Sequence, residues 1–190
     1  MNNNNDGTIT ANFIVKILRA MHPPGEWIFA SEVQTSTGAG SGFTIPSSFL
    51  SDRRIDAFAM NLWPSKNYRR VAYEIKVARS DFLDELHHPE KRARAVFLCN
   101  EFWFAVAPGV YNPREDFKFF HNGEGVMEIS LDHRIKKIMG ARAHQAWPMP
   151  VDFTAAFLRC VRDENQFSKA QEIIYDESPS VDYTEPSTGI

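Results

Sequence analysis

Cysteine is scarce in this chain: Cys99 and Cys160 are the only two in 190 residues. They stand far apart in apolar, helix-like surroundings with no second ligand beside either. A disulfide framework or zinc centre is therefore not expected, and buried free thiols are. No apolar run approaches the roughly twenty residues of a membrane span. The polar start Met1-Asn-Asn-Asn-Asn-Asp6 lacks the apolar segment of a signal peptide, so no membrane association and a cytoplasmic location are the expectations. A basic excess is missing too, since the net charge is −3, which does not advertise a polyanionic partner. Gly38-Ala-Gly-Ser-Gly42 is followed by neither a P-loop lysine nor a helix pattern. It reads as a flexible connection rather than a phosphate cradle, and no small-molecule cofactor is expected.

What is present fits one folded α/β domain. Hydrophobic residues make up 43% of the chain and aromatic residues 13%, enough for a substantial core. Residues 1–9 read as a disordered start, 10–166 as the domain, and 167–190 as an acidic flexible tail. A helix is expected from Thr10 or Asn12 to about Met21, a strand over 26–34, and a long Gly- and Ser-rich loop over 35–51 that is placed to close over a substrate. Strands follow over 53–60 and 70–78. Ser80 is the expected N-cap of the next helix, and Pro89 starts another that ends near Leu98, with Ala93, Val96 and Phe97 inward and Lys91 and Arg94 outward. The nearly continuous apolar run 102–107 suits an interior parallel strand. Beyond it come a short strand over 125–131, a basic turn or short helix over 134–140, and a closing helix over 153–162.

The chemistry-bearing feature is Asp56 followed by Glu74-Ile75-Lys76. In a strand, Val71, Tyr73, Ile75 and Val77 share one side, leaving Glu74 and Lys76 on the other with Ala72 and Ala78. An E-x-K triplet on a half-exposed strand is commonly just a solvated face. Here an aspartate opens the preceding strand, whose apolar residues fall on both sides, and a carboxylate in such a place needs a partner for its charge. Two carboxylates and an ammonium at one sheet edge are what Mg²⁺-assisted attack on a phosphodiester requires.

These residues and the order of elements over 10–108 resemble the PD-(D/E)XK, or restriction-endonuclease-like, nuclease superfamily. Glu74-Ile-Lys-Val-Ala-Arg-Ser-Asp-Phe82 and Phe102-Trp-Phe-Ala-Val-Ala-Pro108 resemble its branch of MmcB-like DNA repair proteins and related phage nucleases. The resemblance implies a central mixed sheet flanked by helices, in the order α-β-β-β-α-β with a C-terminal elaboration. It also implies hydrolysis of DNA phosphodiester bonds in repair, recombination or phage DNA processing. Asp56, Glu74 and the Ile75 carbonyl would hold Mg²⁺, or Mn²⁺ in its place, while Lys76 acts on the attacking water and the developing charge. Ile55 stands where the family name has proline. The first helix lacks the glutamate that some branches carry there, and Glu32 is the candidate to replace it as a further catalytic residue.

Charge distribution softens the acidic total. From Asp163 onward the net charge is −6, which leaves residues 1–162 at +3. Arg54, Arg79, Lys91 and Arg94 are the candidate DNA-contacting cations. A homodimer is the arrangement that cutting both strands would call for. The competing expectation is the same fold with its chemistry lost, serving as a module that binds DNA or a repair partner. His87-His88 read as turn residues, and Trp103 as core rather than a base-stacking platform.

Overall fold

The computed structural model describes residues 7–35, 54–120 and 122–176, with side chains to residue 164 in the last stretch. The loop expected to close over substrate therefore lies, but for Thr35, outside the described residues. So do residues 1–6 and 177–190.

Helix α1 spans Ala11–Ala20. Thr10 starts it as expected: its Oγ1 accepts the Phe13 N–H at 3.2 Å, satisfying one of the amides that a helix start leaves open. Among the described residues six strands follow, β1 Trp27–Gln34, β2 Arg54–Asn61, β3 Arg70–Lys76, β4 Glu101–Val106, β5 Gly125–Ile129 and β6 Ile135–Met139, and they lie in that order across one mixed sheet. The first three are antiparallel, β4 is parallel to both β3 and β5, and β6 returns antiparallel to β5. The parallel step from β3 to β4 needs a crossover, which α2 (Arg79–His87), a 3₁₀ turn (Pro89–Lys91) and α3 (Ala93–Leu98) provide. A short α4 (Pro113–Asp116) follows β4, and α5 (Val151–Asp176) closes the described chain.

Side-chain alternation makes two apolar layers. Phe58, Ala72, Phe102, Phe104 and Val106 meet Phe82 and Leu86 of α2, α3, and Phe153 and Phe157 of α5. On the reverse face Val71, Tyr73, Ile75, Trp103 and Ala105 lie under Ile14 and Leu18 of α1. Every residue of β4 is buried, as its unbroken apolar run predicts for a strand covered on both sides. Trp103 is core at 6% exposure. Gly125 is paired with it in register, and a Cβ there would come within 2.5 Å of the indole ring.

Several local expectations are corrected. Residues 134–140 do not make a turn or helix. Arg134 precedes β6, whose isoleucines suit an outer strand and whose Lys136 and Lys137 are charges that discourage further edge pairing. Ala78, not Ser80, is the N-cap of α2 and gives no side-chain hydrogen bond, while Ser80 lies in the first turn. Arg94 does not look outward. It is buried, with Nη2 3.5 Å from Asp152 at the start of α5, and its neighbour Arg92 reaches Glu124 at 3.1 Å inside the core. Helix α5 starts at Val151 and continues to Asp176, well past the 153–162 expected from its apolar stripe and into the acidic stretch from 167.

Candidate active site

Asp56, Glu74 and Lys76 come together where β2 and β3 part. The ladder between these strands runs from Met60↔Arg70 to Ala57↔Tyr73 and then stops. Beyond that point the Ile75 N–H, which faces β2, is taken by the Asp56 side chain: Oδ2 accepts it at 2.8 Å. Arg70 and Lys76 give their carbonyls to Asn100 and Ala107 on the β4 side, so even-numbered peptide groups of β3 face β4. Within an extended residue the N–H and C=O point the same way, which turns the Ile75 carbonyl toward Asp56 as well.

The partner strand carries a distortion at the same level. Ser31 pairs with Ala57 and Val33 with Ile55, but the ladder skips Glu32 and Asp56. Glu32 has φ 55°, a left-handed conformation that a non-glycine residue adopts only when its surroundings impose it. Ala30 and Val33 consequently pack into the same core layer, as do Phe58 and Ile55, although strict alternation would put each pair on opposite faces. The kink releases Asp56 from the ladder at the edge of the candidate site.

Glu74 and Lys76 share the α2 face, as alternation predicts. Lys76 Nζ donates to Glu74 Oε1 at 2.7 Å and lies 3.5 Å from Glu85 Oε2. The side chains of Glu74, Lys76 and Glu85 are 15%, 15% and 10% exposed, so this is a largely desolvated group of charges. Burial, then the nearby charge of Asp56, pushes the Glu74 carboxyl up to about 8. Burial raises Asp56 too, against the lowering effect of the Ile75 N–H. For Lys76, burial opposes the charge, but Glu74, Glu85 and Asp56 outweigh it and the pKa is raised. Two acids thus share a low-dielectric site with too little positive charge, an environment that a divalent cation would relieve. With the Ile75 carbonyl they form an all-oxygen set suited to a hard cation that keeps most of its water. Among the described residues no group of three or more His, Cys, Asp or Glu side chains is arranged to hold a metal. The set here has two such side chains and a backbone oxygen.

Glu85 is the site residue that the sequence reading passed over. It shares a helix face with Phe82 and Leu86, and an acid embedded in that apolar stripe is the signal that identifies it.

The other candidates fall elsewhere. Glu32 is exposed and its Oε2 accepts from Arg54 at 2.8 Å, so it neighbours Asp56 without joining the Glu74–Lys76 pair. Arg79 forks onto Asp116 through both terminal nitrogens and also donates to the Val110 carbonyl at 2.8 Å, tying α2 to α4. Lys91 donates to Asp84 at 2.5 Å. His87 is not a turn residue but the last residue of α2, packed edge-on against Phe119, and His88, just past the helix, lies 2.8 Å from the Asp84 carbonyl. Cys99 is buried, which pushes its thiol up to about 12, and Cys160 is partly buried. Among the described residues no helix is long and apolar enough to cross a membrane. No family model, no curated protein and no solved structure matches the chain.

Proposed function

We propose that this chain is a metal-dependent nuclease of the PD-(D/E)XK type that hydrolyses DNA phosphodiester bonds. One observation carries the proposal: Asp56 is drawn onto the Ile75 amide beside Glu74 and Lys76, in a desolvated notch at the end of a split ladder. The element order, with three antiparallel strands, a helical crossover and a parallel strand, supports a restriction-endonuclease-like core.

Asp56, Glu74 and the Ile75 carbonyl are the groups that would hold Mg²⁺ or Mn²⁺. A bound divalent ion supplies Lewis-acid polarisation of a phosphoryl oxygen and acidifies water. The chain's own contribution is electrostatic. As a water oxygen bonds to phosphorus and one ester P–O bond breaks, negative charge gathers on the phosphoryl oxygens, and the Lys76 ammonium is the donor placed to meet it. With Glu74 engaged by a cation, Glu85, 3.5 Å from Lys76 Nζ, would remain as the partner that holds the ammonium in place. Arg54 is the candidate phosphate contact most able to change partners, because its pair with Glu32 is exposed on both sides. Arg79 and Arg94 are bound into the fold, and their role is structural.

The test is to incubate the pure protein with labelled duplex, nicked, flap, junction and single-stranded DNA, with Mg²⁺ or Mn²⁺ and with EDTA. Cleavage of at least one substrate that EDTA abolishes is the expected outcome. DNA binding unaffected by EDTA, with no cleavage across the panel, would identify a binding module instead.

A further inference from the structure

On the sheet face opposite Glu74, below the end of α1, lies a cavity of about 130 Å³ whose walls include His22, Trp27, Tyr73 and Trp103. Pockets for drug-sized ligands run to ~300–1,000 Å³, so this one admits a single flat ring system and little else. Its charged lining comprises Arg69, Glu101 and Lys137. Glu101, only 9% exposed, is held on both oxygens: Oε1 lies 2.5 Å from Arg69 Nη2, and Oε2 accepts the Trp103 indole N–H at 3.1 Å. A carboxylate has about four acceptor positions, so two remain for a ligand. Lys137 Nζ sits 5.4 Å from the centroid of the Trp103 ring.

His22 adds no charge. Its Nδ1 lies 2.8 Å from the Leu18 carbonyl and so carries the hydrogen, leaving Nε2 to accept from the Tyr73 hydroxyl at 3.3 Å. Burial lowers its pKa, and Arg69 lowers it further against the effect of the Leu18 carbonyl. The lining thus has two cations and one carboxylate, a balance that suits a singly or doubly negative ligand. A methylammonium ligand is disfavoured, because Lys137 already takes the cation position over Trp103. Aromatic walls call for a flat ring, the carboxylate for neighbouring N–H donors on that ring, and the two cations for an anionic group outside it.

We propose that this cavity is a nucleotide site that takes one unstacked guanine, its N1–H and amino group donating to Glu101 and its phosphate held by Arg69 and Lys137. Guanine alone among the common bases offers two adjacent donors of this kind to one carboxylate. The site is formed by the residues just after α1 and by strands β1, β3, β4, β5 and β6 on the reverse of the sheet, and it does not depend on the cleavage reaction proposed for Asp56, Glu74 and Lys76.

Trp27 and Trp103 line the cavity, so titrating the intact protein with GMP, guanosine, AMP, CMP and UMP and following tryptophan fluorescence reads binding directly. GMP is expected to quench saturably, with UMP about tenfold weaker for want of the paired donors. Lys137→Ala, on an exposed outer-strand position, should narrow the preference for GMP over guanosine about tenfold, with Arg69 left as the one cation on the phosphate. Glu101→Gln should abolish the preference for GMP over UMP. If that variant does not fold, the Lys137→Ala and guanosine comparisons decide alone. No saturable quenching by GMP in the millimolar range, equal binding of all four nucleotides, or wild-type GMP affinity in Lys137→Ala would each overturn the assignment.

Discussion

Lys76→Ala is expected to lower the proposed cleavage by about 10²–10³-fold, the loss typical of removing one preorganised electrostatic donor. The ammonium is neither a loose surface charge nor a replaceable strut. It lies 2.7 Å from Glu74 and 3.5 Å from Glu85, with only 15% of its side chain exposed, so water cannot readily take its place. Lys76→Arg is expected to restore little, because a planar guanidinium needs more width than the ammonium occupies between the two carboxylates. The loss should appear in kcat rather than KM, since in the proposed reaction Lys76 acts on charge that develops as the P–O bond breaks. A Lys76→Ala protein that cuts at the wild-type rate would remove Lys76 from the chemistry.

The second large effect is on stability and reverses with pH. The Glu74 carboxyl has an ordinary value of 4.5 and rises to about 8 in the fold, so the folded chain holds this proton more tightly than the unfolded one. Stability from this group is complete below about pH 4.5 and drains away as pH rises through about 8; Asp56, also raised, acts in the same direction. The upward shift already contains the favourable pull of Lys76, so removing the charge of Glu74 is a net gain at alkaline pH. Without divalent ions, Glu74→Gln is therefore expected to melt on the order of 5 °C above wild type at pH 9, and level with it near pH 5. Mg²⁺ at pH 9 should raise the wild-type melting temperature and leave the variant unmoved. Asp84, held low by its hydrogen bond from Lys91, titrates in a separate, more acid window. A lower melting temperature for Glu74→Gln at pH 9 would show that Glu74 is stabilised as a carboxylate by its surroundings.

Local pattern carried much of the fold. Alternation placed Glu74 and Lys76 on one side of β3 and Val71, Tyr73 and Ile75 on the other, because a pleated strand leaves side chains no other choice. The uninterrupted apolar run of β4 likewise announced a strand between two others. Long-range pairing stayed out of view. Arg94 looks like a surface cation in sequence, and only Asp152, brought by a helix more than fifty residues away, makes it a buried one. Glu85 resembled an ordinary acid of an early helical turn until the crossover set α2 over β3 and pointed it at Lys76. The kink at Glu32 and Asp56 was equally hidden, since a single left-handed residue in a strand has no compositional mark unless it is glycine. At β6, two isoleucines and two lysines in five residues suit a basic turn as well as an outer strand, and pairing with β5 decides between them.

The proposed cation site is tested most directly by titrating Mn²⁺ and Mg²⁺ calorimetrically into wild type, Asp56→Asn and Glu74→Gln between pH 6 and pH 9. Wild type should bind one ion with affinity that climbs through about pH 8, where the Glu74 carboxyl gives up its proton, and both variants should lose that binding while remaining folded. Equal, pH-independent binding by all three proteins, or none by wild type at pH 9, would contradict a divalent-cation centre built on Asp56 and Glu74.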